Sequence, residues 1–567
     1  MKYENQVITL LSEATKLNKA DIKALLEKPP ELKMGNYAFP CFSLSKKEKK
    51  SPDKIAEELL KKIKPNKKIN KIERKGPYLN FFINSSLLNK KVIKNILEEK
   101  NTYGKTKQSK NKVMIEYPGP NTNKPLHLGH VRNMCLGQAL CNILKSDGKK
   151  VIQTNINNDR GIHICKSMLA YQKFGKNNTP EKENLKSDFF VGKYYVLFTQ
   201  KVKNKPELED EARDLLHKWE SKDLKTITLW KKMNKWAFKG FKETYKKFGI
   251  KFDKEYYESE MYEKGKKIVK EGLKNKVFYK DKTGAVIINL KKEGYGEKVL
   301  LRADGTTVYI TQDIYLAKKR YYDFKYDKLI YVVATEQNYH FKVLFETLKK
   351  LKYSFADKCH HFAYGMVNLT TGKMKSREGT IVDADTLINE LKGFAKKEIM
   401  KRHKLTKKEM DERSEKIAMA AIRFYLTKYD SVKDILFNPK ESISFEGETG
   451  PYIQYAHARC SSILRKNKEK IVKVKYSMLK TPLEQKIINL LSSYPEIVKK
   501  ASESYKPFLI ARYLLELSQT FNEYYHKHRV LKEEPITRNA RLKLISAIKQ
   551  VLKNGSSLLG FEAIDEM

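Results

Sequence analysis

The chain of 567 residues is poor in arginine, tryptophan, cysteine and acid. Only 16 of its 115 basic residues are arginine, it has three tryptophans and six cysteines, and 67 acidic residues leave a formal net charge of +48. The cysteines (Cys41, Cys135, Cys141, Cys165, Cys359, Cys460) are scattered without a CxxC pair, which excludes a disulfide framework and the usual zinc spacings. Cys359-His360-His361 sets potential ligands side by side with no second cluster, a poor basis for a tetrahedral site, so no metal is expected. No apolar run approaches the ~20 residues of a membrane span. The N-terminal stretch MKYENQVITLLSEATK mixes charge through its apolar positions, unlike a secretion signal. These absences lead to the expectation of a reduced, cytoplasmic protein with no membrane partner.

A hydrophobic content of 40% is ample for real cores, and the length suits about three or four domains. The positive charge points to a polyanion, nucleic acid first. Abundant Lys, Asn, Ile and Tyr are also what AT-rich coding produces, so the charge supports an RNA partner without identifying one. Residues 1–85 read as a small α+β module, in which GPYLNFFIN alternates like a strand. Residues 86–444 read as an α/β core, which opens near Lys112 after a helix and a polar connector. Inside it, about residues 175–265 form a helical insertion, and Trp219, Trp230 and Trp236 within it suit core packing better than base stacking. Three strand-like pieces follow: Val308-Tyr309-Ile310, Leu329 to Ala334, and Phe362 to Val367. From Glu412 onward the pattern is almost wholly helical, and residues 445–567 read as a helical C-terminal domain. No internal repeat is present.

The most informative segment is PGPNTNKPLHLGHVRN, Pro118 to Asn133. The apolar stretch Val113-Met114-Ile115 enters a turn rich in Pro, Gly and Asn, and the turn delivers His127-Leu128-Gly129-His130 to an amphipathic segment that closes at Asp147-Gly148. A second apolar stretch, Val151 to Ile156, completes strand–turn–helix–strand, the βαβ unit whose first turn binds nucleotides in doubly wound sheets. The helix start offers free N–H groups and partial positive charge to phosphate. His127 and His130 share one side of the first turn, and Gly129 lets a flat base approach the backbone. A second cationic loop, Gly372-Lys373-Met374-Lys375-Ser376-Arg377-Glu378-Gly379, follows the strand HFAYGMV; such a loop can fold over polyphosphate and neutralise charge on a leaving pyrophosphate.

HLGH together with KMKSR resembles the paired ATP signatures of class I aminoacyl-tRNA synthetases, HIGH and KMSKS. The strings IEYPGPNTNKPLHLGHVRN, NNDRGIHICKSM, ADGTTVYITQDI, VVATEQNYHF, FEGETGPYIQYAHAR and LGFEAIDEM narrow the resemblance to the arginyl-tRNA synthetase family, nearly end to end. Pro118 and Gly119 stand where many members have two serines, and Ser376 stands at the second lysine of KMSKS. The family pattern pairs that loss with a lysine before HIGH. Lys124 occupies the place, and Lys375 is another nearby cation; which of them takes the missing charge stays open.

The resemblance implies a Rossmann-like, doubly wound parallel catalytic core, with a small N-terminal α+β domain meeting the tRNA and an all-α anticodon-binding domain at the C-terminus. It implies ATP as substrate with Mg²⁺, no tightly bound metal or organic cofactor, L-arginine and tRNA(Arg) as partners, and a monomer. His127, His130, Lys124, Lys373 and Lys375 are the expected catalytic residues, and the first three with Gly129, Lys373 and Met374 the ATP-binding ones. Glu116, Asn121, Tyr309, Asp313 and Gln337 are expected to line the arginine pocket. Residue chemistry agrees in part: a guanidinium needs acceptors disposed for fork-like pairing, Glu116 ends the first core strand, and Asp313 lies one helical turn after Tyr309. Two other readings compete. A small-molecule nucleotidyltransferase would leave the helical C-terminal region without a task, and a non-enzymatic RNA-binding protein would not need an intact HLGH, Lys124 and the acid pair.

The resemblance carries one prediction. Exchange of pyrophosphate into ATP will require both arginine and tRNA, because the tRNA end completes the site. Robust arginine-dependent exchange by tRNA-free protein contradicts it.

Overall fold

A computed structural model of the chain describes residues 2–29, 34–175, 177–369, 382–401 and 404–567. The fold is multidomain α/β, and its contacts divide it into two compact units. One comprises residues 1–103, 459–494 and 516–551; the other comprises 104–458, 495–515 and 552–567.

In the first unit a three-stranded antiparallel sheet has the order β1-β3-β2, with β1 at Tyr37–Pro40, β2 at Ile69–Lys75 and β3 at Tyr78–Ile83. The β2–β3 turn is Gly76-Pro77, with Gly76 at φ 56°, where glycine avoids the steric cost of a side chain. Leu79 and Phe81 are fully buried and pack with Val7, Leu11, Ile55 and Leu59 from the Lys2–Thr15 and Pro52–Lys62 helices. The Pro482–Ser504 helix begins with a reciprocal cap, in which Thr481 N–H donates to Glu484 and Glu484 N–H to the Thr481 hydroxyl. The other oxygen of the fully buried Glu484 accepts from Arg541 Nε at 2.8 Å.

The second unit is built on five parallel strands: β4 Lys112–Glu116, β5 Lys150–Asn157, β6 Lys254–Tyr257, β10 Lys328–Ala334 and β11 Cys359–Tyr364. Their spatial order is β11-β10-β4-β5-β6. The chain starts in the middle, winds outward through β5 and β6, then returns to β10 beside β4, so the direction reverses between β4 and β10. Doubly wound sheets bind ligands at that switch point, beyond the carboxyl ends of the strands. Between β6 and β10 lies an antiparallel sheet of β7 Tyr279–Lys280, β8 Val286–Leu290 and β9 Gly296–Leu301. A short parallel pair, β12 Val367–Leu369 and β13 Ile435–Phe437, completes the strands.

Three local expectations are corrected. Val308-Tyr309-Ile310 is not a strand: Val308 is the extended residue that starts the Tyr309–Phe324 helix, with Thr311 N–H donating to the Val308 carbonyl at 3.0 Å. The β-branched run mimics a strand, but the apolar positions beyond it repeat with the helical period. The strand expected over Phe362 to Val367 is interrupted at Gly365, where a Cβ would lie 2.6 Å from the Lys433 carbonyl oxygen. The Leu128–Ser146 helix is not amphipathic but buried almost all round, from Leu128 through Val131, Met134, Cys135, Leu136 and Leu140. At Gly137 a Cβ would stand 2.6 Å from the buried Tyr117 ring, so glycine is what lets the turn lie on the helix.

The insertion is helical, with Leu208–Glu220 and Leu224–Lys247 as two of its elements, and Trp230 and Trp236 pack against the main core. Cys359, His360 and His361 face separate neighbours: Tyr326, the Tyr505 ring and the Val333 carbonyl. Among the described residues no helix is long and apolar enough to cross a membrane.

Arg132 ties the buried helix to the chain that leaves the sheet. Its side chain is fully buried, and it donates to the carbonyls of Gly365 and Met366 and to those of Ser431 and Lys433 at 3.0 and 2.7 Å. Burial lowers its pKa to about 10, which still leaves it charged at neutral pH. Arg132→Met leaves four carbonyls short of a donor, so the second unit should lose roughly 2–4 kcal/mol. Calorimetry should show a lower unfolding midpoint; an unchanged midpoint contradicts the assignment.

Candidate active site

The turn from Glu116 to His127 is held in place by the end of β5. Gly119 N–H donates to the Asn155 carboxamide oxygen at 3.1 Å, and the Asn158 side chain donates to the Gly119 carbonyl at 3.1 Å. Backbone bonds from Asn158 to Pro120 and from Thr122 to Asn158 add a second tie, and Asn121 bridges Asn158. Gly119 takes φ 67° here. The Pro, Gly and Asn content of the turn thus has a local cause: a tight path whose amides are paired by asparagines of the neighbouring strand.

The helix start is capped by its own imidazoles. His127 Nδ1 accepts from the Gly129 N–H at 3.1 Å, and His130 Nδ1 accepts from the His127 N–H at 3.2 Å. Each ring therefore carries its proton on Nε2 when neutral, and both are held neutral. Burial, then Lys124, pulls His127 down to about 3; burial, His127 and Lys124 hold His130 well below the ordinary range. The ring centroids are 3.9 Å apart. A Cβ at Gly129 would meet the His127 ring at 3.0 Å, so the glycine makes room for the cap itself as well as for a ligand. Lys124 is half-buried, its pKa is lowered by desolvation, and no described acid forms an ion pair with it. Two neutral N–H donors and a half-buried cation at a helix N-terminus can donate to phosphate oxygens.

A second strand of the chain lies along this turn. Leu128 N–H donates to the Val382 carbonyl at 3.1 Å, and Ala384 N–H to the Leu126 carbonyl at 2.8 Å. Lys373, Met374 and Lys375 lie outside the described residues.

The acids lie across the switch point. Glu116, at the end of β4, is buried, and its carboxylate is paired with the fully buried Arg320 of the Tyr309–Phe324 helix. The Arg320 guanidinium lies 5.1 Å from the Tyr256 ring centroid and 5.6 Å from that of Tyr331. Asp313, on the same helix, bonds His340 of the Asn338–Lys350 helix, Nε2 to Oδ2, at 2.7 Å. Tyr309 is 76% exposed at the start of its helix, and Gln337 is exposed in the turn after β10. The structure thus puts Asn121, Lys124, His127, Gly129 and His130 on one turn rising from Glu116, and Tyr309 and Asp313 on one helix.

Arg320, His340, Arg132 and the Asn155/Asn158 pair were not legible as site residues. His340 lies in the string EQNYHF, and Asn155 and Asn158 lie in NINNDRG, so those signals were present. For Arg320 the only signal is arginine retained in a lysine-rich chain.

The family model for the class I (R) tRNA synthetase catalytic domain matches residues 92–438. Models for the DALR anticodon binding domain and the arginyl tRNA synthetase N terminal domain match 453–567 and 1–83. The chain is similar to a protein named arginine–tRNA ligase from Treponema denticola, 47% identical and covering 94% of this chain and 93% of that one. It is 42% identical to one of that name from Parabacteroides distasonis, over 100% of both chains. Among solved structures, Thermus thermophilus arginyl-tRNA synthetase matches with a TM-score of 0.82, 26% identity and full coverage of both chains.

Two outcomes test this site. Because His127 and His130 are neutral donors, log kcat/KM for ATP should show no break between pH 6 and 9 that moves in His127→Asn or His130→Asn; such a break contradicts the neutral cap. Lys124→Ala should lower kcat by roughly 2.7–4 kcal/mol of transition-state stabilisation, as for comparable lost contacts to developing charge, and weaken arginine binding far less. A Lys124→Ala protein near wild type, with Lys375→Ala inactive, would transfer the role to Lys375.

Proposed function

The chain belongs to the arginyl-tRNA synthetase family, and from that premise we propose how its residues carry out the family reaction. Its activity is that of an arginine–tRNA ligase of class I. It activates L-arginine with ATP to arginyl-adenylate, releasing pyrophosphate, and transfers arginine to the 3′-terminal adenosine of tRNA(Arg).

In the first step a carboxylate oxygen of arginine attacks the α-phosphorus of ATP, and the bond to the pyrophosphate oxygen breaks. No side chain acts as nucleophile. The Nε2–H groups of His127 and His130 and the ammonium of Lys124 meet charge that grows on the phosphates, joined by Lys373 and Lys375, with Gly129 and Met374 completing the nucleotide site. Glu116, Asn121, Tyr309, Asp313 and Gln337 receive the arginine. In the second step a ribose hydroxyl of the terminal adenosine, the 2′-OH in class I, attacks the mixed anhydride and adenylate leaves. Mg²⁺ enters with ATP as part of that substrate. The single observation that supports this reading is the neutral imidazole cap of His127 and His130 at the start of the helix that follows β4, on the turn that rises from Glu116.

Residues 445–567 act as the anticodon-binding domain, 1–85 contact the tRNA, and 86–444 hold the catalytic core. The enzyme works as a monomer in the cytoplasm, where charged tRNA is consumed.

Arginine selection is the decisive test. An ammonium would satisfy charge alone, so discrimination against lysine rests on the fork of parallel donors that only a guanidinium offers. Loss of a hydrogen bond to a charged group costs about 1.5–3 kcal/mol. Asp313→Asn and Glu116→Gln should therefore raise KM for arginine by roughly 10- to 150-fold and leave KM for ATP nearly unchanged. Tyr309→Phe should cost less, because the ring stays. Equal loss for both substrates, or for neither in folded protein, makes the acids structural.

A further inference from the structure

His340 has no part in the reaction as described, yet its imidazole lies 2.7 Å from an oxygen of Asp313. It stands in the first turn of the Asn338–Lys350 helix, three residues beyond Gln337. The side chains of His340 and Asp313 are 26% and 32% exposed, so the pair is open to small solutes from outside. The ring meets that of Phe341 edge to face, with centroids 5.6 Å apart. A carboxylate bonded through Oδ2 to the ring is oriented by it, and Oδ1 is left for a ligand. We propose that His340 is a specificity-determining positioning residue of the arginine pocket, which orients Asp313 and, when protonated, competes with the substrate guanidinium for that carboxylate. This rests on Asp313 being an acid of that pocket.

The competition follows from charge. Neutral His340 donates Nε2–H to Asp313 and leaves the carboxylate with a full negative charge for an incoming guanidinium. Protonated His340 forms a neutral pair with Asp313, and a second cation arriving there gains much less. Burial pulls the imidazole down, but its bond to Asp313 and the charge of that residue outweigh burial, so it titrates above the ordinary histidine range. The sign is then fixed. Below that pKa the competing cation is present and KM for arginine is high; as pH rises through it, the competitor is lost and KM falls.

Other titratable groups face this pair. His361, on β11, bonds the Val333 carbonyl and is held below the ordinary range by burial, despite that bond and with a further pull from His340, so it stays neutral through the window. Glu258, which feels the charge of Asp313, is pushed up to about 7 by burial, against the pull of Arg160, and so titrates between pH 6 and 9. It must be separated from His340 by substitution.

The test is steady-state aminoacylation of a tRNA(Arg) transcript by the full chain from pH 6 to 9. Wild type, His340→Asn, Glu258→Gln and Asp313→Asn are compared, with KM read separately for arginine and ATP. Wild-type KM for arginine should rise by up to about tenfold per pH unit below the His340 pKa, the limit for one competing proton, while KM for ATP stays flat. His340→Asn should remove the slope and move KM more than kcat. By linkage, saturating arginine should lower the His340 pKa in an NMR titration of wild-type protein, a readout that needs no variant. The proposal is overturned if His340→Asn keeps the wild-type slope, if the slope vanishes only in Glu258→Gln, or if arginine leaves the His340 titration unmoved while Asp313→Asn raises KM at every pH. An Asp313→Asn protein with unchanged KM for arginine overturns the pocket assignment itself, a different failure.

Discussion

The N-terminus of the Leu128–Ser146 helix is the constraint on which the rest of the structure depends. Its free N–H groups must be satisfied, and the chain satisfies two of them with His127 and His130 rather than with the usual hydroxyl or carboxylate. An acidic cap would repel phosphate. An imidazole cap accepts through Nδ1 and offers a donor through Nε2, so the device that closes the helix also opens a site for anions. This works only with neutral rings, and burial with nearby Lys124 keeps them so. Burial in turn requires the helix to be apolar nearly all round and the turn to lie flat on it at Gly137.

The second unit also buries guanidinium groups: Arg132 and Arg320 fully and Arg423 nearly so, in a chain where lysine supplies almost all the positive charge. A buried lysine ammonium would offer three donors around a point, where the Arg132 site asks for a planar fork. Arg132 reaches four carbonyls, and Arg320 holds Glu116 beneath the aromatic rings of Tyr256 and Tyr331. A carboxylate already paired with a guanidinium, as Glu116 is with Arg320, has little net charge left to attract a second cation.

Much of this was legible in the sequence because it is local. The βαβ unit shows itself through an apolar run, a turn of Pro, Gly and Asn, and a switch of period, and the strand order then follows from the usual winding of such units. Residues 308–310 were misread because a β-branched run carries the same signal at a helix start as in a strand, and the break at Gly365 depends on the distant Lys433. The β8–β9 pair escaped notice because β9 alternates exposed and half-buried residues among lysines and glycines. Long-range partners were the least legible. Glu116 and Asp313 could be picked out as acids for a guanidinium, but nothing in the spacing of residues tells that Arg320 and His340 already hold them.

The central claim is that one switch point joins a phosphate-binding cap to a guanidinium-selective pair of acids. Charging of unfractionated tRNA by the purified chain with each of the twenty amino acids tests it most directly. The account predicts ATP-dependent attachment of arginine alone, to a single set of tRNA acceptors, with lysine at background. Attachment of another amino acid at a comparable rate, or no attachment of arginine by folded protein, would contradict it.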